Sequence, residues 1–414
     1  MTRPRLLLLL PTASYRTTAF VEAARRLDVA LTVASERPST FQSTRPDALL
    51  TLDFASVPRT VDQALAFHRD SPVTAALGVD DDTVILATAI NLGLGRATNP
   101  LPAVEAARDK FLQREAMRAA GVPVPDFTLH DVGLDPAALA AQAPYPCVLK
   151  PLRLAASRGV IRADDPAQFV AAFRRIRSLL QDKDLPDCGP AGRQLLVEAF
   201  IPGPEVALEG LLEKGRLHVL ALFDKPDPLD GPYFEETVYV TPSRLPEDAQ
   251  RALADVALDA AHAIGLVEGP IHAELRWNAL GARLIELAAR PIGGRCSAAL
   301  TFGTDITLEE VVLRHALGLP LPSLTREPRA SGVMMIPVPG QGGMLRGVKG
   351  TERARALPGV DDVVITATGQ KLVPWPEGSR YPGFIFAHGA RPEDVELALR
   401  AAHRQLEWEL EPLD

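Results

Sequence analysis

Two glutamates, Glu274 and Glu286, lie twelve residues apart in a segment that reads as two strands joined by a turn. Residues 272–277 and 282–287 alternate apolar and polar side chains, so antiparallel pairing would place both carboxylates side by side on one face. Like charges at such positions destabilise a sheet, and Mg²⁺ held by one or two carboxylates and substrate phosphates is a natural compensating cation. The alternative is a solvated hairpin face with incidental acids.

A second candidate is Lys150, which ends a short apolar strand beginning at Cys147. A lysine fixed at a strand end beside a flexible loop can neutralise a phosphate as a point charge. The following loop, residues 155–160, is rich in small residues, so its backbone N–H groups could approach an anion closely. Together they indicate a phosphate site, and the alternative is a surface lysine before an ordinary turn.

A third candidate is the apolar strand 196–201, which a Pro-Gly break ends shortly before Glu205. The break would leave backbone groups of residues 198–201 free to face a planar base, while Glu205 could accept hydrogen bonds from ribose hydroxyls. The alternative is a hairpin with solvent-facing acids. Lys225 begins a long loop that would face the same site, which favours contact with a phosphate.

The first hundred residues alternate apolar runs with helical patterns, which is typical of a small doubly wound α/β unit. The leucine run 6–10 is interpreted as a buried parallel strand, because five leucines ending at a proline are too few for a signal peptide. The unit has no GxGxxG, so dinucleotide binding is unsupported. The predicted strands are 6–10, 30–34, 48–52 and 73–77, and the predicted helices are 18–27, 61–68 and 81–92.

The rest of the chain predicts further mixed structure. The Pro-rich stretch 319–328 indicates a linker, and residues 182–193, rich in Asp, Gly and Pro, predict a mobile segment. Beyond the linker we expect a small antiparallel unit that closes with a helix over 392–410. The other predicted elements are helices at 109–120, 166–180 and 246–264 and strands at 147–149, 194–200, 205–212, 217–223 and 384–387.

Composition narrows the class of protein. With 414 residues and 47% hydrophobic content, the chain can form two or three packed domains. The net charge is −8 and basic residues are spread out, so we expect no nucleic-acid partner. The cysteines at 147, 188 and 296 have no metal-ligand spacing and are interpreted as reduced thiols of a cytoplasmic protein. No stretch approaches eighteen apolar residues, so we expect no membrane partner.

These motifs, in this order, resemble the ATP-grasp superfamily over residues 109–319. The resemblance implies an α/β (α+β) fold with a doubly wound N-terminal domain (1–105), an ATP-grasp domain (106–325) whose lid is near 125–198, and a small C-terminal α+β domain (326–414). It is carried by Asp109-Lys110, Val148-Leu-Lys-Pro151 with Ser157 and Gly159, Leu196-Val-Glu-Ala-Phe-Ile201 with Glu205, Lys225, and Glu274 with Glu286.

The resemblance also implies roles for residues. ATP would bind with Mg²⁺ or Mn²⁺, Lys225 would be catalytic, and Arg290 would stabilise charge on an acyl phosphate and a tetrahedral intermediate. The implied binding residues are Lys110, Lys150, Ser157 and Gly159 for the phosphates, Glu198, Phe200 and Ile201 for the adenine, Glu205 for the ribose, and Glu274 and Glu286 for the metal.

Within the superfamily, the chain is similar to the L-amino-acid ligase group. Many other members have Asn two residues after the second glutamate, where this chain has Ala288. His272 and the glycine-rich pattern between Gly342 and Gly383 also look like that group. Dipeptide-forming relatives often carry His where Tyr239 stands, which leaves the class of acyl substrate open.

The expected function is ADP-forming ligation of a carboxylate to an amine, in which an amino acid joins an amine or a second amino acid. Two alternatives remain: an ATP-grasp ligase with a carboxylate that is not an amino acid, and a nucleotide-binding protein without ligase activity. The expected partners are small-molecule substrates, and both a monomer and a homodimer stay open.

Overall fold

A computed structural model describes residues 3–12, 14, 16–182, 189–321 and 323–413. Within these residues, helices and strands are mixed along the whole chain. The strands form a four-stranded parallel sheet, a central eight-stranded sheet, and smaller sheets of four, three and two strands. Residues 183–188 of the segment predicted to be mobile, and Pro322 of the predicted linker, lie outside the described residues.

The N-terminal sheet is parallel, with strand order β3-β2-β1-β4. Leu6 and Leu8 pack with Phe20 of α1, whereas Leu7 and Leu9 face the opposite side of the sheet with α2 and α3. Helices therefore cover both faces, and the predicted doubly wound unit is confirmed. Its elements are β1 (Arg5–Leu9), α1 (Thr17–Arg26), β2 (Ala30–Ser35), a 3₁₀ turn (Gln42–Thr44), β3 (Leu49–Thr51), α2 (Val57–Asp70), β4 (Ala75–Gly78) and α3 (Asp81–Gly93).

Two helices, α4 (Leu101–Arg108) and α5 (Lys110–Ala119), lead into a second sheet, which has the order β5-β8-β6-β7. This sheet is antiparallel and is here called the lid sheet. Helix α7 covers it, burying Phe169 and Phe173 against Leu149 and Val197. Asp165 begins this helix by accepting a hydrogen bond from the Gln168 N–H. The elements are β5 (Phe127–Asp131), α6 (Pro136–Ala140), β6 (Cys147–Pro151), β7 (Ile161–Ala163), α7 (Pro166–Leu180), a 3₁₀ turn (Gly189–Arg193) and β8 (Gln194–Ala199).

The central sheet begins with antiparallel strands that bury one face against α8. Leu253 and Ala257 of this helix pack with Leu208 and Leu275 of the sheet. The helix ends at Gly265, whose φ of 88° suits glycine at a helix C-terminus. The elements are β9 (Glu205–Glu213), β10 (Arg216–Lys225), β11 (Val238–Thr241), α8 (Glu247–Ile264), β12 (Gly269–Asn278) and β13 (Gly281–Ala288).

The last third of the chain extends the central sheet, whose full order is β13-β12-β9-β10-β11-β16-β20-β18. The expected separate antiparallel unit is therefore only partly right, because three of its strands continue this sheet and three others form a sheet β19-β17-β21. The elements are a 3₁₀ turn (Cys296–Ala299), β14 (Thr301–Phe302), β15 (Ile306–Thr307), α9 (Leu308–Leu317), β16 (Ala330–Met335), β17 (Gly343–Lys349), α10 (Thr351–Arg355), β18 (Val360–Ile365), β19 (Lys371–Leu372), β20 (Gly383–Gly389), α11 (Pro392–His403) and β21 (Glu407–Glu411).

The predicted helix over 392–410 is wrong in its second half. Helix α11 ends at His403, and residues 407–411 form strand β21, which pairs with β17. The sequence Glu-Trp-Glu-Leu-Glu alternates with period two, which suits a strand with one face packed. Among the described residues, no helix is both long and apolar enough to cross a membrane.

Candidate active site

Glu274 and Glu286 are register partners on the antiparallel strands β12 and β13. The ladder is irregular immediately after Glu274. Directly opposed residues of such a ladder project from the same face, and both glutamates line one cavity of about 590 Å³. The predicted hairpin and the adjacency of its two acids are confirmed, while their role as metal ligands stays a prediction.

Lys110 holds the Glu286 carboxylate. Its Nζ lies 3.1 Å from Glu286 Oε1 and donates to the Leu154 carbonyl at 3.1 Å. Lys110 is the first residue of α5, and the side chain of Asp109 caps this helix by accepting from the N–H groups of Phe111 and Leu112. The cap fixes the position from which the ammonium reaches β13.

Lys150 and Glu198 form a buried ion pair between the neighbouring strands β6 and β8 of the lid sheet. Arg114 of α5 also donates to Glu198, with Nε 2.9 Å from Oε2. Burial opposes ionisation of this carboxyl group, but the charges of Arg114 and Lys150 lower the pKa of Glu198 to about 2. The glutamate therefore stays ionised and holds the lysine where the nucleotide phosphates were predicted.

The loop after Lys150 has left-handed backbone at Ala156, Ser157 and Gly159, with φ of 56°, 54° and 71°. A Cβ at Gly159 would lie 2.9 Å from Pro151 and Leu179, so glycine is required there. Ser157 lines the 590 Å³ cavity and also a narrower one of about 50 Å³. Such a loop can turn N–H groups towards an anion.

The narrow cavity is the predicted adenine site, and Lys110, Phe200 and Ile201 are part of its wall. The backbone groups expected to be free are partly used: the Phe200 N–H donates to the Pro146 carbonyl, and the Ile201 carbonyl accepts from Arg276 at 2.6 Å. The expectation that all of them face a base is wrong at these two groups, because Pro146, just before β6, and Arg276 already bind them. A volume of 50 Å³ is well below the 300 Å³ or more that is typical of ligand sites, so a nucleotide must widen this cavity.

Lys225 is surrounded by carboxylates. Its Nζ lies 2.8 Å from Glu205 and 3.4 Å from Glu274, and it also contacts Glu236. Burial opposes its charge, but these carboxylates raise the pKa of Lys225 well above its ordinary value. Glu205 also accepts a hydrogen bond from Arg276 at 2.9 Å. A ribose bound to Glu205, as predicted, would therefore share this carboxylate with Lys225 and Arg276.

Sequence reasoning missed Glu236. One oxygen each of Glu205, Glu236 and Glu274 lie within 4.8 Å of one another, whereas Glu286 is outside this group. Burial and the charge of Glu274 raise the pKa of Glu236 to about 7. Tyr239, buried three residues later, donates to Glu236 at 2.5 Å. The acidic pair at 235–236 just before a strand was a signal for this residue.

Sequence reasoning also missed Glu209, which lies beside His272. The ring lies between Glu209 and Glu274, with Nδ1 3.5 Å from Glu209 Oε2 and Nε2 3.7 Å from Glu274 Oε1. Burial opposes protonation of the ring, but the two nearby glutamates raise the pKa of His272. His272 therefore links the Glu274 carboxylate to a fully buried acid on β9.

Arg290 reaches the N-terminal domain. Its Nε and Nη2 lie 2.7 and 3.2 Å from the two carboxylate oxygens of Asp81, the first residue of α3. Burial opposes ionisation of Asp81, but the charge of Arg290 holds the pKa of that carboxyl below its ordinary value. The guanidinium lines the 590 Å³ cavity and also holds an acid, and its expected role towards an acyl phosphate stays a prediction.

The chain after Arg290 crosses the face of the central sheet, and residues 289–299 are here called the crossing segment. The Ile292 N–H donates to Glu209 of β9, and the Ala299 carbonyl accepts from Ser331 of β16. Gly294 has a φ of 59°, and a Cβ there would lie 2.3 Å from the Met335 sulfur, so a larger residue would strain the backbone and displace the Met335 side chain of β16. The segment thereby contributes to the wall of the 590 Å³ cavity.

Comparison with known proteins agrees with this geometry. Two family models match: an ATP-grasp domain over residues 143–299, and L-amino acid ligase C-terminal domain 2 over residues 335–411. The crystal structure of an L-amino acid ligase from Bacillus licheniformis has a TM-score of 0.84 and 26% identity, and the match covers 99% of this chain and 100% of that one.

Two sequence relatives are also ligases or synthases by name. Carnosine synthase 1 of Homo sapiens is 29% identical over 75% of this chain and 39% of its own length. The alanine–anticapsin ligase of Bacillus subtilis is 29% identical over 57% of this chain and 53% of its own length. The matched region thus spans about half or less of each relative. The chain therefore contains an ATP-grasp domain, followed by C-terminal domain 2 of the L-amino acid ligases.

Proposed function

We propose that the protein is an ATP-dependent, ADP-forming carboxylate–amine ligase that joins an amino acid to an amine or to a second amino acid through an acyl phosphate. One observation carries the proposal. The narrow cavity and the 590 Å³ cavity, here called the wide cavity, share Ser157, Glu236, Glu274 and Glu286 in their walls. A nucleotide in the narrow cavity would therefore present its terminal phosphate to a substrate in the wide one. The names of the relatives, an L-amino acid ligase and an alanine–anticapsin ligase, support amino-acid substrates.

The phosphate end of the narrow cavity combines cations with carboxylates. Lys110 and Lys150 would contact the phosphates directly. Glu274 and Glu286 are opposed carboxylates on one ladder, and hard oxygen donors of this kind suit Mg²⁺ or Mn²⁺. When bound there, the divalent ion would offset negative charge on the β- and γ-phosphate oxygens.

Two displacements complete the reaction. A carboxylate oxygen of the substrate attacks the γ-phosphorus, the bond from that phosphorus to the oxygen bridging to ADP breaks, and ADP leaves. The nitrogen of an unprotonated amine then attacks the acyl carbon, the carbon–oxygen bond to phosphate breaks, and phosphate leaves with that electron pair. The nitrogen loses its surplus proton to solvent, and an amide remains.

The residues of the wide cavity act on this sequence by position and charge. Arg290, which lines the wide cavity, would face the acyl phosphate and the developing oxyanion. Lys225 holds Glu205, Glu236 and Glu274 together, so it would fix the carboxylate cluster beside the phosphates. Cys147 and Cys296 are buried free thiols, which suits an enzyme of the reducing cytoplasm.

The proposal is tested by ADP release with Mg²⁺, ATP and amino acids supplied singly and in pairs. A ligase releases ADP at its full rate only when both the carboxylate and the amine are present. A nucleotide-binding protein without ligase activity gives nucleotide-dependent melting shifts and no ADP with any pair. ADP release that depends on an amine and on a carboxylate other than an amino acid would support the alternative of an ATP-grasp ligase whose acyl substrate is not an amino acid.

A further inference from the structure

The wide cavity has three cations that the ligation chemistry does not use. Arg295, in the crossing segment, lines this cavity with its guanidinium 5.8 Å from the ring centroid of Phe384 and 5.4 Å from that of Phe386. Both rings belong to β20. Lys371 and Arg380 are exposed at the same cavity. Over the described ranges, no carboxylate lies within 4 Å of any of these three cations, whereas Arg290 and Lys110 have acidic partners.

The backbone of Arg295 is unusual. Its φ is 55°, a left-handed conformation that a long side chain adopts only when its surroundings enforce it. The crossing segment is fixed on both sides of this residue, by Glu209 of β9 at Ile292 and by Ser331 of β16 at Ala299. The guanidinium also makes cation–π contacts with the rings of Phe384 and Phe386 on β20. A half-buried cation is thus held in place with its polar N–H groups left to the cavity.

Arg295 and Glu274 belong to different parts of the wide cavity's wall. Glu274 lies on β12, and the rings under Arg295 lie on β20, five strand positions away in the central sheet. Both residues line the same cavity. A substrate whose reacting carboxyl or amine is near Glu274 could therefore meet Arg295 with a second group of the same molecule.

We propose that one of the two substrates carries a second, remote anionic group, such as the side-chain carboxylate of an acidic amino acid, and that Arg295 binds it. The inference rests on the proposed ligase function for the identity of the reacting group. A guanidinium presents paired donors that match a carboxylate, and an aromatic floor leaves those donors unshared. Lys371 and Arg380 add positive charge to the same cavity and favour the entry of anions.

The test compares substrates that differ only in charge. L-glutamate is measured against L-glutamine, and L-aspartate against L-asparagine, by ADP release in pairs with other amino acids. Mass spectrometry of the product shows whether the acidic amino acid supplied the acyl group or the amine. The wild-type protein should prefer one acid over its amide by about tenfold or more, as expected for a charge-assisted contact.

Arg295→Asn removes the cation and keeps a residue that tolerates left-handed backbone, so the variant should fold and melt as the wild type does. It should lose the preference while turnover of the amide stays within about twofold of wild type. Lys214→Asn is the matched control, because Lys214 is also a cation with a left-handed backbone (φ 51°) but lies in the turn between β9 and β10. It should keep the preference. A wild type that uses amides as well as acids, or an Arg295→Asn variant that still prefers acids, overturns the inference.

Calorimetric titration separates this inference from the proposed function. The four amino acids are titrated into protein loaded with Mg²⁺ and a non-hydrolysable ATP analogue. If no pair of amino acids releases ADP, the ligase proposal fails. The role of Arg295 is still supported if the wild type binds an acid more tightly than its amide and the Arg295→Asn variant does not. Equal binding or no binding of acid and amide contradicts it.

Discussion

Arg290 and Asp81 form a two-point ion pair across 209 residues of sequence, with N–O distances of 2.7 and 3.2 Å. The pair joins the end of strand β13 to the first turn of helix α3. The carboxylate hairpin is therefore braced against the N-terminal domain. The arginine beside the proposed acyl phosphate is oriented by that domain as well as by its own strand.

The ion pair gives Arg290 two roles that substitution can separate. Arg290→Lys keeps the charge but loses the planar fork, so ligation should fall at least about tenfold, roughly 1.4 kcal/mol, while ATP affinity stays near wild type. Asp81→Asn keeps the arginine and removes only its partner, so it should reduce ligation less than Arg290→Lys. Both variants are measured by ADP release, nucleotide titration and thermal melting. Equal losses of melting temperature and ATP binding in the two variants, with unchanged turnover per folded molecule, would mean that Arg290 only braces the hairpin.

Lys150 should determine nucleotide affinity. Lys150→Ala removes a charge-assisted phosphate contact and should weaken ATP binding by about 1.5 to 3 kcal/mol. Lys349→Ala is the control, because Lys349 is an exposed lysine paired with Glu409 on the three-stranded C-terminal sheet. Calorimetric titration of an ATP analogue checks both variants. Unchanged affinity in Lys150→Ala would show that this lysine does not contact the nucleotide.

Much of the fold follows from periodicity, and much of the site does not. The alternation of residues 272–277 and 282–287 predicts β12, β13 and the pairing of Glu274 with Glu286, because each feature is local. Residues 407–411 show the same alternation. This segment follows helix α11 closely and is short, so its pattern alone does not distinguish a strand from a continuation of the helix. Only the pairing of β21 with β17 settles its structure.

The electrostatic partners of the site are set by long-range packing. Asp81 lies on α3, Glu209 on β9 and Glu236 in the loop before β11, and their sequence positions say nothing about which cation each one meets. The backbone of residues 198–201 shows the same limit, since its hydrogen bonds depend on how β6 and Arg276 pack against β8. The predicted ligands could therefore be named, but not their ion-pair partners.

Glu198 should make the stability of the lid sheet depend on acid pH. Its folded pKa, about 2, lies below the ordinary value of 4.5, so the carboxylate stabilises the fold above pH 4.5 and this contribution is lost as pH falls towards 2. The contribution is about 3 kcal/mol. Glu198→Gln should flatten this part of the pH profile of the unfolding free energy and lower stability at pH 7, because Arg114 and Lys150 lose their buried anion.

Urea unfolding followed at several pH values between 2 and 7 measures this effect. Glu213→Gln, which changes an exposed glutamate at the end of β9, is the control and should keep the wild-type profile. A Glu198→Gln profile as steep as that of the wild type would contradict the assignment.

The loop at 155–159 should be restrained by the C-terminal region. Trp375 donates its indole N–H to the Ala156 carbonyl at 2.8 Å, and the Gly159 N–H donates to the Pro376 carbonyl at 2.9 Å. Trp375→Phe removes one of these bonds, so hydrogen exchange of residues 156–160 should rise about fivefold, as expected for a contact of ~1 kcal/mol. Trp408→Phe, on β21, is the control and should leave this loop unchanged. In the wild type, an ATP analogue should slow exchange of the same residues, because a nucleotide lid closes over its ligand.

Equal exchange of this loop with and without the analogue would contradict its role as a lid. Equal exchange in Trp375→Phe and wild type would show that the C-terminal contacts do not restrain it.

The acyl phosphate is the central claim, and isotope transfer tests it most directly. The substrate carboxylate found by the ADP-release screen is labelled with ¹⁸O, and the inorganic phosphate released during ligation is analysed by mass spectrometry. An acyl phosphate transfers one carboxylate oxygen to phosphate, so we predict one ¹⁸O per phosphate in the wild type, and neither ADP nor labelled phosphate from Glu286→Ala. Ligation that releases unlabelled phosphate, or Glu286→Ala turnover near the wild-type rate, would contradict the account.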